Sequence, residues 1–141
     1  MGNNKILIVD DDPDIREGMH VRLKYSGYDT CFANDALSSI AAAAKEAPDL
    51  IILDLGLPEG GGFLAIERLK AHPTSHGIPI IVVSAKDARA NRERAIRAGA
   101  TAYLQKPVDN AEFLAVIRGA LRESAPADSQ NIAGIVACVH E

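Results

Sequence analysis

Five residues that could take part in chemistry each follow a short apolar run of the chain, directly or within two residues. They are Asp10, Asp11, Asp54, Ser84 and Lys106. Taken singly, each has an ordinary explanation, because an aspartate can cap a helix, form a turn or lie in solvent. If the apolar runs are parallel strands, however, their carboxyl ends meet at one edge of a sheet, where such sheets bind ligands. The combination therefore predicts a site with several carboxylates, a hydroxyl and an ammonium.

The carboxylates favour a divalent cation at this site. Mg²⁺ prefers oxygen ligands in near-octahedral geometry and often takes some of them from carboxylates, which Asp11 and Asp54 can supply. Without a cation, carboxylates this close repel one another, and one tends to keep its proton. A carboxylate can also accept a phosphoryl group if that group's oxygens have positive or hydrogen-bonding partners, here Mg²⁺, Lys106 and Ser84. The pattern predicts a magnesium-dependent phosphoryl acceptor.

The elements that must position these residues alternate along the chain. Five short apolar segments are separated by longer segments of helical character, which is typical of βα units around a parallel sheet. We predict strands at residues 5–9, 28–32, 50–53, 78–83 and 101–104. The third and fourth runs are almost continuously apolar, as strands covered on both faces are. These two strands and the first are therefore expected at the centre of an α/β sheet.

Helix starts are marked by residues whose side chains can accept hydrogen bonds from free backbone N–H groups. They are Asp12 before Pro13, Asn34 or Asp35, Asp87 and Asp109. The last helix carries a regular apolar stripe, expected to pack on the sheet. It consists of Phe113, Val116, Ile117, Ala120 and Leu121.

The fourth helix, at about residues 88–98, has a different composition from the last one. It contains four arginines, at positions 89, 92, 94 and 97. Only Ala95, Ile96 and small residues remain for burial. We therefore expect this helix to be loosely held and largely solvated.

The composition is that of an ordinary globular protein. The chain has 141 residues, 48% of them apolar and 24% charged, which suits one domain. Its net charge of −4 gives no general attraction for nucleic acid or anionic membranes. Neither a signal peptide nor an apolar stretch of about 20 residues is evident, so we expect a cytoplasmic protein. Cys31 and Cys138 are expected to be reduced, packed thiols.

A change in composition near the carboxyl terminus predicts a boundary. Residues 124–130 resemble a linker, and residues 132–139 form an uncharged run. We therefore expect one domain at 1–123 and a linker with a short apolar tail at 124–141.

Four motifs at the ends of the predicted strands resemble the receiver domains of response regulators in bacterial two-component systems, the chemotaxis-regulator-like type. They are Ile6-Leu7-Ile8-Val9-Asp10-Asp11-Asp12, Leu53-Asp54-Leu55-Gly56-Leu57-Pro58, Val83-Ser84-Ala85 and Lys106-Pro107. The resemblance covers about residues 5–122. It implies a flavodoxin-like three-layer αβα sandwich with five helices and a five-stranded parallel sheet in the order 2-1-3-4-5. The spacing by itself indicates only the alternation of strands and helices.

The resemblance also implies a role for each site residue. Asp54 is then the phosphoacceptor, and Mg²⁺ is held by Asp10, Asp11, Asp54 and the backbone carbonyl of Gly56. Three further residues contact the phosphoryl group. They are Ser84, Ala85 and Lys106. Tyr103 matches the aromatic switch position, whose ring turns inward as the hydroxyl residue moves towards the phosphate. The Lys106-Pro107 peptide bond is expected to be cis.

A receiver domain implies particular partners. The phosphoryl donor would be a sensor histidine kinase or a histidine phosphotransfer protein. An output partner or a second copy would dock on the face formed by the fourth helix, the fifth strand and the fifth helix. Direct contact with nucleic acid or a membrane is not expected. Such a domain catalyses only its own phosphorylation and dephosphorylation and is not otherwise an enzyme.

Two other functions are compatible with parts of the pattern. A receiver-like interaction module that is never phosphorylated would usually have lost an acidic residue, the acceptor or the lysine, and all are present here. A phosphatase of the haloacid dehalogenase type could use Asp10 and Asp12 as its paired aspartates. Its motif normally continues with Thr or Val where this chain has Asp14.

Overall fold

The computed structural model describes residues 3–58 and 61–123, in which five strands alternate with five helices. The strands are β1 (Lys5–Val9), β2 (Asp29–Ala33), β3 (Leu50–Leu53), β4 (Ile80–Ser84) and β5 (Ala102–Gln105). The helices are α1 (Pro13–Tyr25), α2 (Ala36–Glu46), α3 (Gly61–Ala71), α4 (Ala88–Ala98) and α5 (Asn110–Glu123). The expected linker and tail at 124–141 and the second cysteine, Cys138, lie outside the described residues.

All strand pairs are parallel, and the sheet order is β2-β1-β3-β4-β5. The predicted α/β class and strand order are therefore confirmed. Helices α2, α3 and α4 cover one face of the sheet, and α1 and α5 cover the other. The central strands β1, β3 and β4 are buried almost completely, as their continuous apolar sequences predict.

Three strands, β2, β4 and β5, begin one or two residues later than predicted, and for β2 and β4 turns use the residues before the strand. The Tyr28 N–H donates to the Leu23 carbonyl, so Tyr28 closes the end of α1 and β2 starts at Asp29. The Ile78 N–H donates to the Ser75 carbonyl, so Ile78 belongs to the turn before β4. Apolar character alone does not separate such a turn from a strand.

The helix starts and the stripe on the last helix are confirmed. Asp12, Asp35, Asp87 and Asp109 each accept a hydrogen bond from a backbone N–H in the first turn of the helix that follows. Asp35, rather than Asn34, caps α2. On α5, Phe113, Ile117 and Ala120 are buried, and Val116 and Leu121 are half-buried.

Helix α4 is attached to the protein by few side chains. Ala95 is its one buried residue, and Ile96 is 41% exposed, so the expectation that Ile96 would be buried is wrong. A contact not foreseen from the sequence lies on the side of α4 that faces α3. The Arg94 guanidinium carbon is 3.8 Å from the centre of the Phe63 ring. Such a cation–π contact contributes about 0.5–1 kcal/mol at an exposed site and partly compensates for the missing apolar anchors.

Cys31 on β2 is half-buried and free. Burial raises the pKa of its thiol to about 11, so the thiol is protonated at neutral pH. Within residues 3–58 and 61–123, no helix is long and apolar enough to cross a membrane.

Gly62 in α3 allows the helix to pack against the segment that follows Asp54. A Cβ atom at this position would lie 2.4 Å from the Leu55 Cα and 2.7 Å from the Leu55 carbonyl oxygen, both backbone atoms. We expect Gly62→Ala to lower the free energy of unfolding by about 3 kcal/mol, because overpacking outweighs the higher helix propensity of alanine. Urea unfolding followed by circular dichroism measures the change.

Gly18 in α1 provides the matched control, since a Cβ there would meet nothing within 4 Å. Gly18→Ala should leave stability unchanged or raise it by up to about 1 kcal/mol. Equal urea midpoints for Gly62→Ala and the unmodified protein would contradict the close packing described here.

Candidate functional site

The site begins where two central strands end side by side. Val9 and Leu53 are register partners, and the Asp54 N–H donates to the Val9 carbonyl at 3.0 Å. The residues that follow the two strands therefore meet at one edge of the sheet. The carboxylates of Asp10, Asp11 and Asp54 each offer an oxygen within 4.8 Å of the others.

Asp10 is the most deeply placed member of this acidic cluster, at 1% exposure. One carboxylate oxygen accepts a hydrogen bond from the Asp12 N–H at 2.9 Å, and the other lies 3.4 Å from the Lys106 ammonium. Burial raises the pKa of Asp10, and the Asp54 carboxylate adds to that rise. The Asp12 N–H and Lys106 act in the opposite direction. The cluster therefore carries more negative charge than one ammonium offsets, which suits a divalent cation.

Lys106 reaches the cluster from the far side of β4. Its backbone N–H donates to the Ser84 carbonyl at 2.8 Å, which extends the pairing of β4 and β5 to these residues. The Lys106-Pro107 peptide bond is cis, as the resemblance implied. A cavity of about 600 Å³ between α1 and α5 opens beside Lys106 and Ala85. The Lys106 side chain is 21% exposed.

Two further residues of the predicted site, Ser84 and Tyr103, are buried. Ser84 is fully buried, and its hydroxyl accepts a hydrogen bond from the Lys86 N–H at 3.2 Å. Tyr103 is 3% exposed, and its hydroxyl donates to the Lys86 carbonyl at 2.8 Å. Burial raises the pKa of Tyr103, and the Ser84 hydroxyl opposes that rise. The Tyr103 ring already points inward in this structure, the orientation that the family resemblance associates with phosphorylation.

Two neighbours of the site complete its geometry. The backbone of Gly56 runs close to Asp54, because a Cβ on Gly56 would lie 3.2 Å from an Asp54 carboxylate oxygen. The Arg16 guanidinium donates to the Asp10 carbonyl at 3.0 Å and so helps to hold the first acidic segment. Sequence reasoning missed Arg16, because its reach to Asp10 depends on how the chain turns into α1.

The predicted site residues therefore fall into three groups. Asp10, Asp11, Asp54 and Lys106 come together at the edge of the sheet. Ser84, Ala85 and Gly56 lie on the segments that flank them. Tyr103 is buried on β5. Asp12, which the phosphatase alternative needs as a second acid, is exposed and caps α1.

Comparison with known proteins agrees with this arrangement. The family model described as "Response regulator receiver domain" matches residues 6–118. The response regulator MprA of Mycobacterium leprae is 36% identical over 125 residues, which are 89% of this chain and 54% of MprA. The chain thus spans about half the length of the curated relatives it matches.

Solved structures show the same fold. A CheY-like response regulator receiver domain from Methanospirillum hungatei has a TM-score of 0.79 and 32% identity, covering 87% of this chain and 97% of that protein. The receiver domain of the sensor histidine kinase PA1611 from Pseudomonas aeruginosa has a TM-score of 0.77 and 27% identity. It covers 85% of this chain and 98% of that protein, and a magnesium ion is coordinated in its active site cleft. The strand-end acidic cluster, the fold and these matches agree, and this chain belongs to the response regulator receiver domain family, a regulatory rather than an independently catalytic domain.

Proposed function

We propose that Asp54 is the residue on which this domain accepts a phosphoryl group, with a histidine kinase or a histidine phosphotransfer protein as donor. The observation that carries this proposal is the closeness of the Asp10, Asp11 and Asp54 carboxylates, within 4.8 Å of one another. Lys106 lies beside them, 3.4 Å from Asp10. Asp54 is half-buried rather than sealed, so a donor can reach it.

Mg²⁺ is the cofactor of this site. Asp11, Asp54 and the Gly56 carbonyl would hold the ion directly, and Asp10 would act through water, because its oxygens already have partners in Asp12 and Lys106. When bound, the ion neutralises the acidic cluster and draws charge from the phosphoryl oxygens. The magnesium ion in the PA1611 receiver domain supports this assignment.

The remaining phosphoryl oxygens need donors from the protein itself. The Lys106 ammonium, the Ser84 hydroxyl and the Ala85 N–H would bind them, and Lys106 would offset the charge that builds up during transfer. The carboxylate of Asp54 attacks phosphorus, and the bond from phosphorus to the donor's nitrogen or oxygen breaks. A receiver-like module that is never phosphorylated would not need this set of groups.

A small phosphodonor tests the acceptor. In the presence of Mg²⁺ and acetyl phosphate, we expect one phosphoryl group to be added to the unmodified protein and none to Asp54→Asn, because the amide is not a nucleophile of this kind. Intact-protein mass spectrometry measures the addition.

Asp12→Asn is the matched control, since Asp12 is exposed and asparagine caps a helix as well as aspartate does. It should be phosphorylated like the unmodified protein. Equal labelling of Asp54→Asn and the unmodified protein would assign the phosphoryl group to another residue.

We further propose that phosphorylation shifts α4 and β5 between two arrangements. Ser84 and Lys106 gain phosphoryl contacts only in the modified state, and a ligand shifts a population only through such differences. Helix α4 moves most readily, because Ala95 is its one buried residue and its other apolar contacts come from the small, half-buried Ala88 and Ala98. The hydrogen bond from Tyr103 to the Lys86 carbonyl connects β5 to the segment before α4. An output partner or a second copy would dock on the α4, β5 and α5 face.

Hydrogen exchange with and without beryllofluoride, a phosphoryl mimic, tests this switch in the presence of Mg²⁺. We expect altered protection across residues 86–104 in the unmodified protein and none in Asp54→Asn, which lacks the carboxylate that the mimic needs. Changes limited to the loops around Asp54 would mean that the domain does not signal through this face.

We also propose a placement and extent for the domain. The receiver unit would end at residue 123, with 124–141 as a linker and short tail, and the domain would act in the cytoplasm. The net charge of −4 supports signalling through protein partners rather than direct contact with nucleic acid.

A further inference from the structure

Helices α2 and α3 leave an apolar groove between their first turns. The groove has a volume of about 430 Å³. Leu37 on α2 is 76% exposed and Leu64 on α3 is 39% exposed, with Ile40 half-buried between them. Two large apolar side chains lie beside this groove. Covering them would remove apolar surface from water and so stabilise a complex.

The two ends of this groove carry opposite charges. Asp35 lies at the start of α2, and Arg68 lies seven residues beyond the start of α3 at Gly61, about 10 Å along the helix at 1.5 Å per residue. The Ser38 hydroxyl and N–H lower the pKa of Asp35, so its carboxylate is charged at neutral pH. Neither Asp35 nor Arg68 forms an ion pair with any residue in the described part of the chain.

We propose that this groove binds a second copy of the same chain through a two-fold axis. The axis would run through the middle of the groove, so that Asp35 of each copy faces Arg68 of the other. The paired copies would cover Leu37 and Leu64 against one another. Such an interface uses the same patch twice and closes after two copies.

Charge complementarity favours a second copy over another partner. A strongly acidic or basic partner would meet a like charge at one end of the groove, whereas a copy turned by 180° matches both ends. The patch is small, so the dimer is weak and depends on protein concentration.

This surface is separate from the proposed switch face. Helix α2 lies over β1 and β2, and α4 lies over β5 at the opposite edge of the sheet. The dimer would therefore form without phosphorylation and would persist in Asp54→Asn. That behaviour separates it from a dimer on the α4, β5 and α5 face.

Sedimentation equilibrium on the full, unphosphorylated chain tests the proposal at concentrations up to about 1 mM, where even weak pairing is detectable. Leu37→Asp should weaken self-association by more than about 10-fold, since it places a charge in the covered patch. The variant should still fold, because Leu37 is exposed and an acid in the first turn favours a helix. Tyr25→Lys is the matched control. It removes an apolar side chain that is 94% exposed at the end of α1 and should leave association unchanged.

A pair of charge changes tests the two-fold arrangement itself. Arg68→Glu alone and Asp35→Lys alone should each be monomeric, because like charges then meet at both ends. Mixed together they should associate, since each end again pairs opposite charges. Circular dichroism checks that Asp35→Lys keeps its helices after losing the cap.

Three results with the unphosphorylated chain and its variants would overturn the proposal. They are a monomeric unmodified chain at every concentration, a dimer that Leu37→Asp leaves intact, and charge variants that do not associate when mixed. Self-association that appears only with phosphorylation would also overturn it and would support the α4, β5 and α5 face instead.

Discussion

Asp11→Asn is expected to weaken Mg²⁺ binding by more than about 100-fold, whereas Asp10→Asn should weaken it by about 10-fold, because outer partners of a metal contribute less than direct ligands. Asp11 is exposed at the edge of the cluster, where its carboxylate is available to a cation. Asp10 is buried and already bonded to the Asp12 N–H and Lys106. Isothermal titration with MgCl₂ measures both affinities. Equal losses would remove the distinction between a direct ligand and one that acts through water.

The stability of Asp10→Asn in metal-free buffer shows whether its weaker Mg²⁺ binding comes from the lost carboxylate or from a damaged fold. Burial raises the pKa of Asp10 above its ordinary value, so the folded state binds the proton more tightly than the unfolded state. The stability contributed by protonated Asp10 is therefore present at low pH and is lost as pH rises from the unfolded pKa through the folded pKa. At neutral pH, in metal-free buffer, Asp10→Asn should unfold at a urea concentration no lower than that of the unmodified protein.

Lys106→Ala is expected to slow magnesium-dependent phosphorylation by acetyl phosphate about 100-fold, the usual effect of removing one group that stabilises charge in a transition state. Its ammonium is 3.4 Å from Asp10 and is held there by the pairing of β5 with β4. The initial rate of labelling, followed by intact-protein mass spectrometry, measures the effect.

Mg²⁺ affinity is the control for Lys106→Ala. It should stay the same or rise, because a positive charge beside the cation has been removed. A labelling rate equal to that of the unmodified protein would show that Lys106 has no part in phosphoryl transfer. A rate loss that parallels a loss of Mg²⁺ affinity would assign Lys106 a structural role instead.

The parts of the fold that follow from hydrophobic patterning were predictable. Strands β1 and β3 have the predicted bounds, because each contains an unbroken apolar run that is followed directly by an aspartate. The bounds of β2, β4 and β5 were not predicted correctly. For β2 and β4 the reason is that Tyr28 and Ile78 form turns, which depend on hydrogen bonds to residues before them. Ile96 resembles a core residue in the sequence, yet α4 rests on Ala95 and turns Ile96 towards solvent.

The position of the site was predictable, but its internal bonding was not. The rule that parallel strands end at one edge was enough to bring Asp10, Asp54 and Lys106 together. The deep burial of Asp10 and the hydrogen bond from Arg16 to the Asp10 backbone carbonyl follow from no local sequence pattern. The inward Tyr103 ring depends on a distant acceptor, the Lys86 carbonyl.

The most direct test of the proposed phosphoacceptor identifies the residue that carries the phosphoryl group. An aspartyl phosphate is an acyl phosphate, which borohydride reduces to homoserine, so the modified position becomes permanently marked. After incubation with Mg²⁺ and acetyl phosphate, reduction and peptide mass spectrometry should find homoserine at position 54. It should find none when Mg²⁺ is removed by chelation. Homoserine at Asp10 or Asp11, or labelling that does not depend on Mg²⁺, would contradict the proposed phosphoacceptor site.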